Sequence, residues 1–442
     1  MRVAVIGSGI AGLAAAYHLR STARVTLFEA GTWFGGHTHT VDVTLPDPHG
    51  VPVTHGVDTG FLVLNERTYP QLIRLFADLD VPTARSDMSF SVQVPGASGG
   101  RALEWSGSTL GTVFAQRSNL VRPGFWRMLR DLLRFNALTT RIARDSSEAQ
   151  LMQSLAAFLD DNHFSQEFRD WYFLPMIGSI WSCPTDQMLL FPVGTMIRFC
   201  HNHGLLQVVD RPQWWTVAGG ARHYVDKILE HVPDARLASP VRWVQRDADG
   251  IRLSSAEGWE RFDKVVIATH PDQALSMLLD ASQAERGVLG PIRYQPNRAV
   301  LHTDVGVLPR SRDAWAAWNY EGSAPGSDAS GRVCLHYLLN RLQPLPWSQP
   351  VIVSLNPVRE IPRTHVMAEF DYAHPVFDAA AIRAQADVPK LQGMQHTYYC
   401  GAWTGYGFHE DGLKSGLSAA RQLLADVQGV ASASTSRLEQ VA

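Results

Sequence analysis

The chain has 442 residues, 45% of them hydrophobic and 18% charged, with a formal net charge of −3. That length exceeds one ordinary domain and predicts two, or one interleaved with another, around a large core. The near-neutral charge gives no footprint for nucleic acid, no run of about 18 apolar residues reads as a membrane span, and Cys183, Cys200, Cys334 and Cys400 lack metal-ligand spacing, so no metal is expected and free thiols in a reducing cytoplasm are.

The first predicted element is a short buried strand, Val3–Ile6. Gly7-Ser8-Gly9-Ile10-Ala11-Gly12 follows, then a helical run from Leu13 to Leu19, then a second strand from Arg24 to Glu29. Gly7 makes the tight turn off the strand, Gly9 lets the backbone approach a pyrophosphate, and Gly12 lets the helix pack close to the sheet. The helix N-terminus holds the phosphates, and Glu29 is placed to accept hydrogen bonds from the adenosine ribose. Strand, glycines, helix, strand and acid in this order specify an adenine-dinucleotide site. The motif begins at Met1, so no signal peptide is expected.

Residues 65–79 carry helical spacing (Tyr69, Leu72, Ile73, Leu75, Phe76, Leu79). Residues 88–105 read as strands broken by Pro95–Gly100, and 108–205 as largely helical with breaks at Pro123, Pro175, Pro184 and Pro192. Residues 122–144 form a basic amphipathic helix, with Arg127, Arg130 and Arg134 near one face and Phe125, Met128, Leu129 and Leu132 on another. Two readings stand: an apolar side in the core with a solvated basic face, or peripheral contact with the inner face of an anionic membrane. Residues 236–265 alternate as a β ribbon around Asp249-Gly250, Val265–Ala268 is a buried strand ending at His270-Pro271, and 292–370 is β-rich. The last helix spans about Leu413–Val427, before an Ala/Ser-rich tail expected to be disordered.

The dinucleotide is expected to be FAD. Gly35-Gly36-His37 lies just past Glu29, and a second glycine-rich segment runs from Gly401 to Gly416. A flavin dinucleotide needs such a second contact region for its ribityl and ring end, and a helix N-terminus there stabilises negative charge on reduced flavin.

These residues resemble the flavin amine oxidase and phytoene desaturase superfamily. The resemblance is carried by the Gly7–Gly12 loop, the Glu29 and Gly35–His37 region, Val57–Phe61, Trp215–Gly220, Val265–Pro271 and Tyr399–Ala420. Ile180–Ser182, Trp318–Tyr320, Asn340–Gln343 and Phe408–Gly412 look like a bacterial branch of FAD-binding proteins implicated in fatty-acyl desaturation. The fold this implies is α/β: a Rossmann-like FAD-binding domain (1–64, 215–288, 388–428) interleaved with a mixed-sheet plus helical substrate domain (65–214, 289–387), with 429–442 as the tail. The resemblance puts Gly7, Ser8, Gly9, Ala11 and Gly12 along the pyrophosphate, Glu29 on the ribose, and Gly35, Gly36 and His37 by the phosphates. Gly60 and Phe61 would approach the isoalloxazine, Val241 the adenine side, and Gly401, Gly412 and Leu413 the ribityl and pyrimidine end, with Trp403 inside the flavin loop.

Two departures matter. Many relatives carry Arg where His37 stands, and many amine oxidases place a Lys near the flavin where the comparable strand, Tyr294–His302, offers Arg298. An Arg cannot act as a neutral base, which turns the expected chemistry from amines toward carbon–carbon dehydrogenation. Cys400, beside Gly401, reads as a buried thiol rather than a covalent flavin anchor.

The shared reaction is hydride transfer from a substrate carbon to flavin N5, and desaturation also needs a proton acceptor. His409 is the first candidate, against a ring that only packs or hydrogen-bonds the loop. Glu410 and Arg298 are further candidates. Asp411 is expected to cap the following helix, and His302 is a weaker candidate. Trp171, Trp181, Trp214, Trp215, Trp315, Trp318 and Trp403 are candidates for an apolar tunnel or ordinary core. The expected function is an FAD-dependent oxidoreductase acting on an apolar, lipid-like or fatty-acyl substrate, with the electron acceptor open. An amine oxidase, a redox-neutral double-bond isomerase and a non-enzymatic flavin- or lipid-binding protein remain as alternatives.

Overall fold

The computed structural model describes residues 1–98, 101–145, 151–204, 212–322 and 333–439. At its centre lies a five-stranded parallel sheet in the order Asp234–Arg236, Arg24–Phe28, Arg2–Ile6, Lys264–Ile267, Thr397–Tyr399. Val3, Val5, Val265 and Val266 are fully buried, as a parallel sheet covered on both faces requires. The strands come from three separated stretches of chain, so the sheet exists only once those stretches meet.

The helix Ile10–Leu19 is apolar and buried almost all round, and it packs against the closing helix His409–Glu439. Only glycine fits at one of these contacts and where the first helix meets the turn before it. A Cβ at Gly416 would stand 2.0 Å from the Ala11 carbonyl oxygen, and one at Gly12 would stand 1.9 Å from that of Gly7.

The chain between these stretches builds a seven-stranded mixed sheet in the order Val366–Pro375, Tyr294–His302, Ile352–Leu355, Cys334–Leu338, Trp318–Glu321, Phe90–Ser98, Arg101–Ser106. Its pairs are antiparallel except Trp318–Glu321 beside Phe90–Ser98. Helices including Pro123–Asp145, Leu174–Trp181 and Val193–Asn202 pack beside it around an aromatic core of Phe135, Phe158, Phe164, Phe168 and Phe173. Asp58 ties the stretches together. Its carboxyl accepts from Thr40 Oγ1 at 2.5 Å, the Ala221 amide at 2.9 Å and Gln343 Nε2 at 2.8 Å. Burial pushes that carboxyl up to about 7.

Three boundaries differ from the sequence reading. The helix expected from Asn65 begins at Pro70, because Asn65 Oδ1 accepts from the Arg67 and Thr68 amides, each at 3.0 Å, and turns the chain first. The closing helix begins at His409 and continues to Glu439. It runs through the expected disordered tail; residues 440–442 lie outside the described residues, as do 99–100 of the predicted strand break. On the helix Pro123–Asp145, Phe125, Met128 and Phe135 are buried. No helix among the described residues is long and apolar enough to cross a membrane.

Candidate functional site

A cavity of about 690 Å³ opens along the C-terminal ends of the central parallel strands and under the mixed sheet. This is where an open α/β sheet places its ligands. The strand Arg2–Ile6 delivers Gly7 in the left-handed region, at φ +98°, which glycine adopts without strain. The Gly7 amide bonds Phe28 O at 2.8 Å, and the turn hands the chain to the helix Ile10–Leu19. Ser8 and Gly9 therefore sit at that helix's positive end, where backbone amides favour an anion.

Glu29 closes the loop from the second strand. Its Oε2 accepts from Ser8 N at 2.9 Å and Ser8 Oγ at 2.5 Å, and its Oε1 accepts from Gly31 N at 2.7 Å. The Gly35 amide bonds Ser8 O at 3.1 Å, and the Phe61 amide bonds His37 O at 2.8 Å. Gly60 packs so tightly that a Cβ there would stand 2.2 Å from His37 O. The two loops after the second strand are thus fastened to the first.

Two observations test whether FAD fits. A Cβ built on Gly9 meets nothing within 4 Å, and its backbone, at φ −61° and ψ 171°, suits any residue. What the glycine protects is the open space in front of the loop. His37 Nε2 is buried and lacks a hydrogen-bond partner, a polar atom that calls for a ligand group. The residues fit the cofactor. Gly7, Ser8 and Gly9 would hold its pyrophosphate, and Glu29 its ribose.

Gly7, Ser8, Gly9, Ala11, Glu29, Gly35, Gly36, His37, Gly60, Phe61, Val241, Gly401, Trp403 and His409 all line the cavity. Gly12, Gly412 and Leu413 do not. Gly12 is pressed on Gly7, a Cβ at Gly412 would meet Ile10 Cγ2 at 2.7 Å, and Leu413 is buried in the core. Gly12 sets the first helix against the Gly7 turn and Gly412 sets the closing helix against Ile10, so neither touches the space.

Two of the three catalytic candidates lie elsewhere. Arg298 is on the solvent side of its strand, paired with Glu369 at 2.7 Å, because its side chain keeps its charge in water. Glu410 is buried away from the cavity. Its two oxygens accept from the Gln71 and Leu72 amides, each at 3.0 Å, so it caps the helix Pro70–Asp78. We expect Glu410→Ala to lower stability by about 1–2 kcal/mol, read as a fall in Tm, while flavin reduction stays at the parent rate. A collapse of that rate in a folded variant would return Glu410 to the chemistry.

His302 is fully buried on the opposite face, in a polar chain. Asp304 N donates to its Nδ1 at 3.0 Å, and its Nε2 bonds Ser354 Oγ at 2.6 Å. Asp411 Oδ2 accepts the Phe408 and Tyr406 amides at 3.0 and 3.1 Å, capping the closing helix from within its first turn. Of the tryptophans, Trp181, Trp214, Trp318 and Trp403 line the cavity, while Trp171, Trp215 and Trp315 do not. Cys400 is a buried thiol, pushed up to about 12 by burial.

His409 does face the cavity. Its ring stacks on Phe61 with centroids 3.8 Å apart. Its Nε2 bonds Tyr224 OH at 2.8 Å and Thr38 Oγ1 at 2.9 Å, and those two hydroxyls also meet each other. Burial pushes the imidazole down to about 3, so it is neutral at physiological pH and weakly basic.

Sequence reasoning missed the other histidines in this wall. His374 packs edge-on to His37 at 5.1 Å and bonds Asn297 through Nδ1 at 2.8 Å. His270 stacks on Tyr294 at 3.7 Å, and His203 on Phe199 at 3.9 Å. No local signal marks them. His374 comes from the strand paired antiparallel with 294–302, His270 from the turn after the central strand Lys264–Ile267, and His203 from the end of the helix Val193–Asn202.

A glycine-loop cradle at the end of a parallel sheet, joined to a second helix start across an apolar space, defines a dinucleotide-dependent oxidoreductase. Residues 10–301 match the model of the flavin containing amine oxidoreductases. The chain belongs to that family and is an FAD-dependent enzyme. Among solved structures it is similar to cyclohexylamine oxidase from Brevibacterium oxydans, with 15% identity, a TM-score of 0.67, and coverage of 97% of this chain and 99% of that one. A variant of putrescine oxidase gives 15% identity and a TM-score of 0.68 over 96% and 99% of the two chains. A fatty acid isomerase from P. acnes gives 15% and 0.65 over 95% and 98%. At that identity the likeness is one of fold. No curated protein matches the sequence.

Proposed function

We propose that the enzyme dehydrogenates an apolar, lipid-like substrate, with an acyl chain as the leading class. The observation that carries this is the lining. Beyond the glycine loop it is built from Met88, Phe90, Met176, Ile180, Trp181, Phe199, Trp214, Trp318, Phe377 and Phe408, with no lysine or arginine, and Glu29 is its one acid among the described residues. Glu29 is committed to Ser8 and Gly31 at the far end. A substrate bearing a cation would lose its hydration here without a countercharge, at a cost of several kcal/mol. A hydrocarbon loses nothing and gains about 25 cal/mol per Å² buried.

Bound in the cradle, FAD would accept hydride from the substrate carbon. The chain's own residues do the rest. The aromatic lining excludes water and orients the hydrocarbon. Tyr224 and Thr38 fix the His409 ring through Nε2, which leaves Nδ1 as the nitrogen available to a proton. The related structures named for amines and for a fatty acid share this fold, so the fold leaves the substrate open and the lining supports the apolar choice.

The test is anaerobic mixing of the purified yellow protein with acyl substrates and, separately, with primary amines. Loss of flavin colour with acyl chains and a product lacking two hydrogens is the expected result. His409→Ala is expected to slow that step well beyond any loss of flavin content. Bleaching by amines alone would overturn the reading in favour of an amine oxidase. A product of unchanged hydrogen count would make the enzyme an isomerase.

A further inference from the structure

We infer that the segment from Leu110 to Leu133 docks on an anionic membrane surface. The sequence left two readings for the 122–144 helix, and its apolar face lies in the core through Phe125, Met128 and Phe135. A different set of side chains is left outside. Leu110 is 83% exposed, Val121 82%, Leu133 62%, Trp126 50% and Leu120 46%. Isolated exposed leucines are ordinary, but five large apolar groups on one short stretch are not.

They form one surface. Trp126 Nε1 donates to Leu120 O at 2.9 Å, and its ring packs on Phe114 with centroids 5.5 Å apart. This ties the 110–113 and 117–121 turns to the helix start. Trp126 and Leu133 are seven residues apart, so they stand on one stripe of the helix, with Arg130 between them.

The exposed charge on this surface is mostly positive. Between Glu104 and Asp131 the chain has no acidic residue and four arginines, Arg117, Arg122, Arg127 and Arg130. Asp131 itself is fully buried, accepting from the Ser165 amide at 2.9 Å and paired with Arg130 at 3.5 Å and Arg134 at 3.4 Å. The neighbouring turn Arg312–Ala314 packs against Leu110–Val113 and brings exposed Arg312 to the same side. Glu167 and Asp313 are the acids nearby, and Glu167 is spent on Arg127. Protruding Leu, Val and Trp beside exposed Arg117, Arg130 and Arg312 match the headgroup and acyl boundary of a bilayer carrying anionic lipid, where each cation near the surface and each buried apolar group adds to binding. With no spanning helix among the described residues, the contact is peripheral.

The surface also starts at the cavity wall. Phe90 lines the cavity, and its carbonyl accepts from Ser106 Oγ at 3.0 Å and the Gly107 amide at 3.1 Å, three residues before Leu110. The docking stands whatever the substrate proves to be.

The experiment is co-sedimentation of the holoenzyme with vesicles of phosphatidylcholine, with and without phosphatidylglycerol. Binding to the anionic vesicles that weakens with salt is expected, with little binding to phosphatidylcholine alone. The double variant L110D/V121D and the double variant R117E/R312E should each lower partitioning about tenfold or more. Both change exposed side chains, so Tm and flavin content should match the parent. Failure to sediment with anionic vesicles, or undiminished binding of both variants, overturns the proposal. So does a dimer in vesicle-free solution that L110D/V121D dissociates, since the surface would then belong to a second copy.

Discussion

Gly9→Val is expected to give a folded, colourless protein. The φ of −61° at Gly9 suits valine, and no atom lies within 4 Å of the new Cβ, so the apo fold should keep its Tm. The side chain would stand where the pyrophosphate must approach the helix N-terminus. Closing that approach removes charge-assisted contacts that cannot form elsewhere. We expect FAD affinity to fall about 1,000-fold or more, roughly 4 kcal/mol, read as flavin content after purification and by titration of the apoprotein. Gly12→Val supplies the contrast. Its Cβ would overlap Gly7 O at 1.9 Å, so that variant should fail to fold rather than fold empty. A Gly9→Val protein that binds stoichiometric FAD would remove the loop from the site.

The second large effect is acid instability. Burial pushes His37, His39, His203, His270 and His302 down to about 4, and His374 and His409 down to about 3. Each is neutral in the fold but protonates near 6.5 once unfolded, so the unfolded chain binds more protons. Stability from these groups is full above about pH 6.5 and is lost as pH falls toward 4. Asp58, raised to about 7, and Asp411, raised to about 6, act in the opposite direction over part of that range. His336, raised to about 9, is charged in both states below pH 6.5 and adds no slope there. Seven histidines against two carboxyls leave a net loss of about 1.4 kcal/mol per pH unit for each uncompensated proton. Tm should drop by several degrees from about pH 7 to pH 5. Replacing His374 with Asn should flatten the slope by about one proton. A Tm that stays level or rises on acidification would contradict the burial of these rings.

The part of the site legible in the sequence is the part fixed by local backbone geometry. Gly7, Gly9 and Glu29 serve a turn, a helix end and a strand end, all within one βαβ unit, so spacing alone located them. Gly416 was noticed only as the end of a glycine-rich segment, and its reason, close contact with Ala11, came with the fold. Arg298 and Glu410 were misplaced because neighbours in sequence say nothing of which way a side chain faces. Arg298 points to solvent and Glu369, and Glu410 turns to a helix more than 330 residues earlier in the chain. Likewise His374 and His270 reach the wall from strands and loops with no motif of their own.

What the sequence determined by itself is the cofactor class, because a phosphate-binding loop is a short-range arrangement of glycines and amides that few residues suffice to specify. What only the tertiary structure decided is the chemistry around it: an apolar lining without a countercharge, histidines held neutral, and a set of exposed apolar groups among arginines. Those are properties of burial, and burial depends on which distant segments cover which side chain once the interleaved stretches have come together.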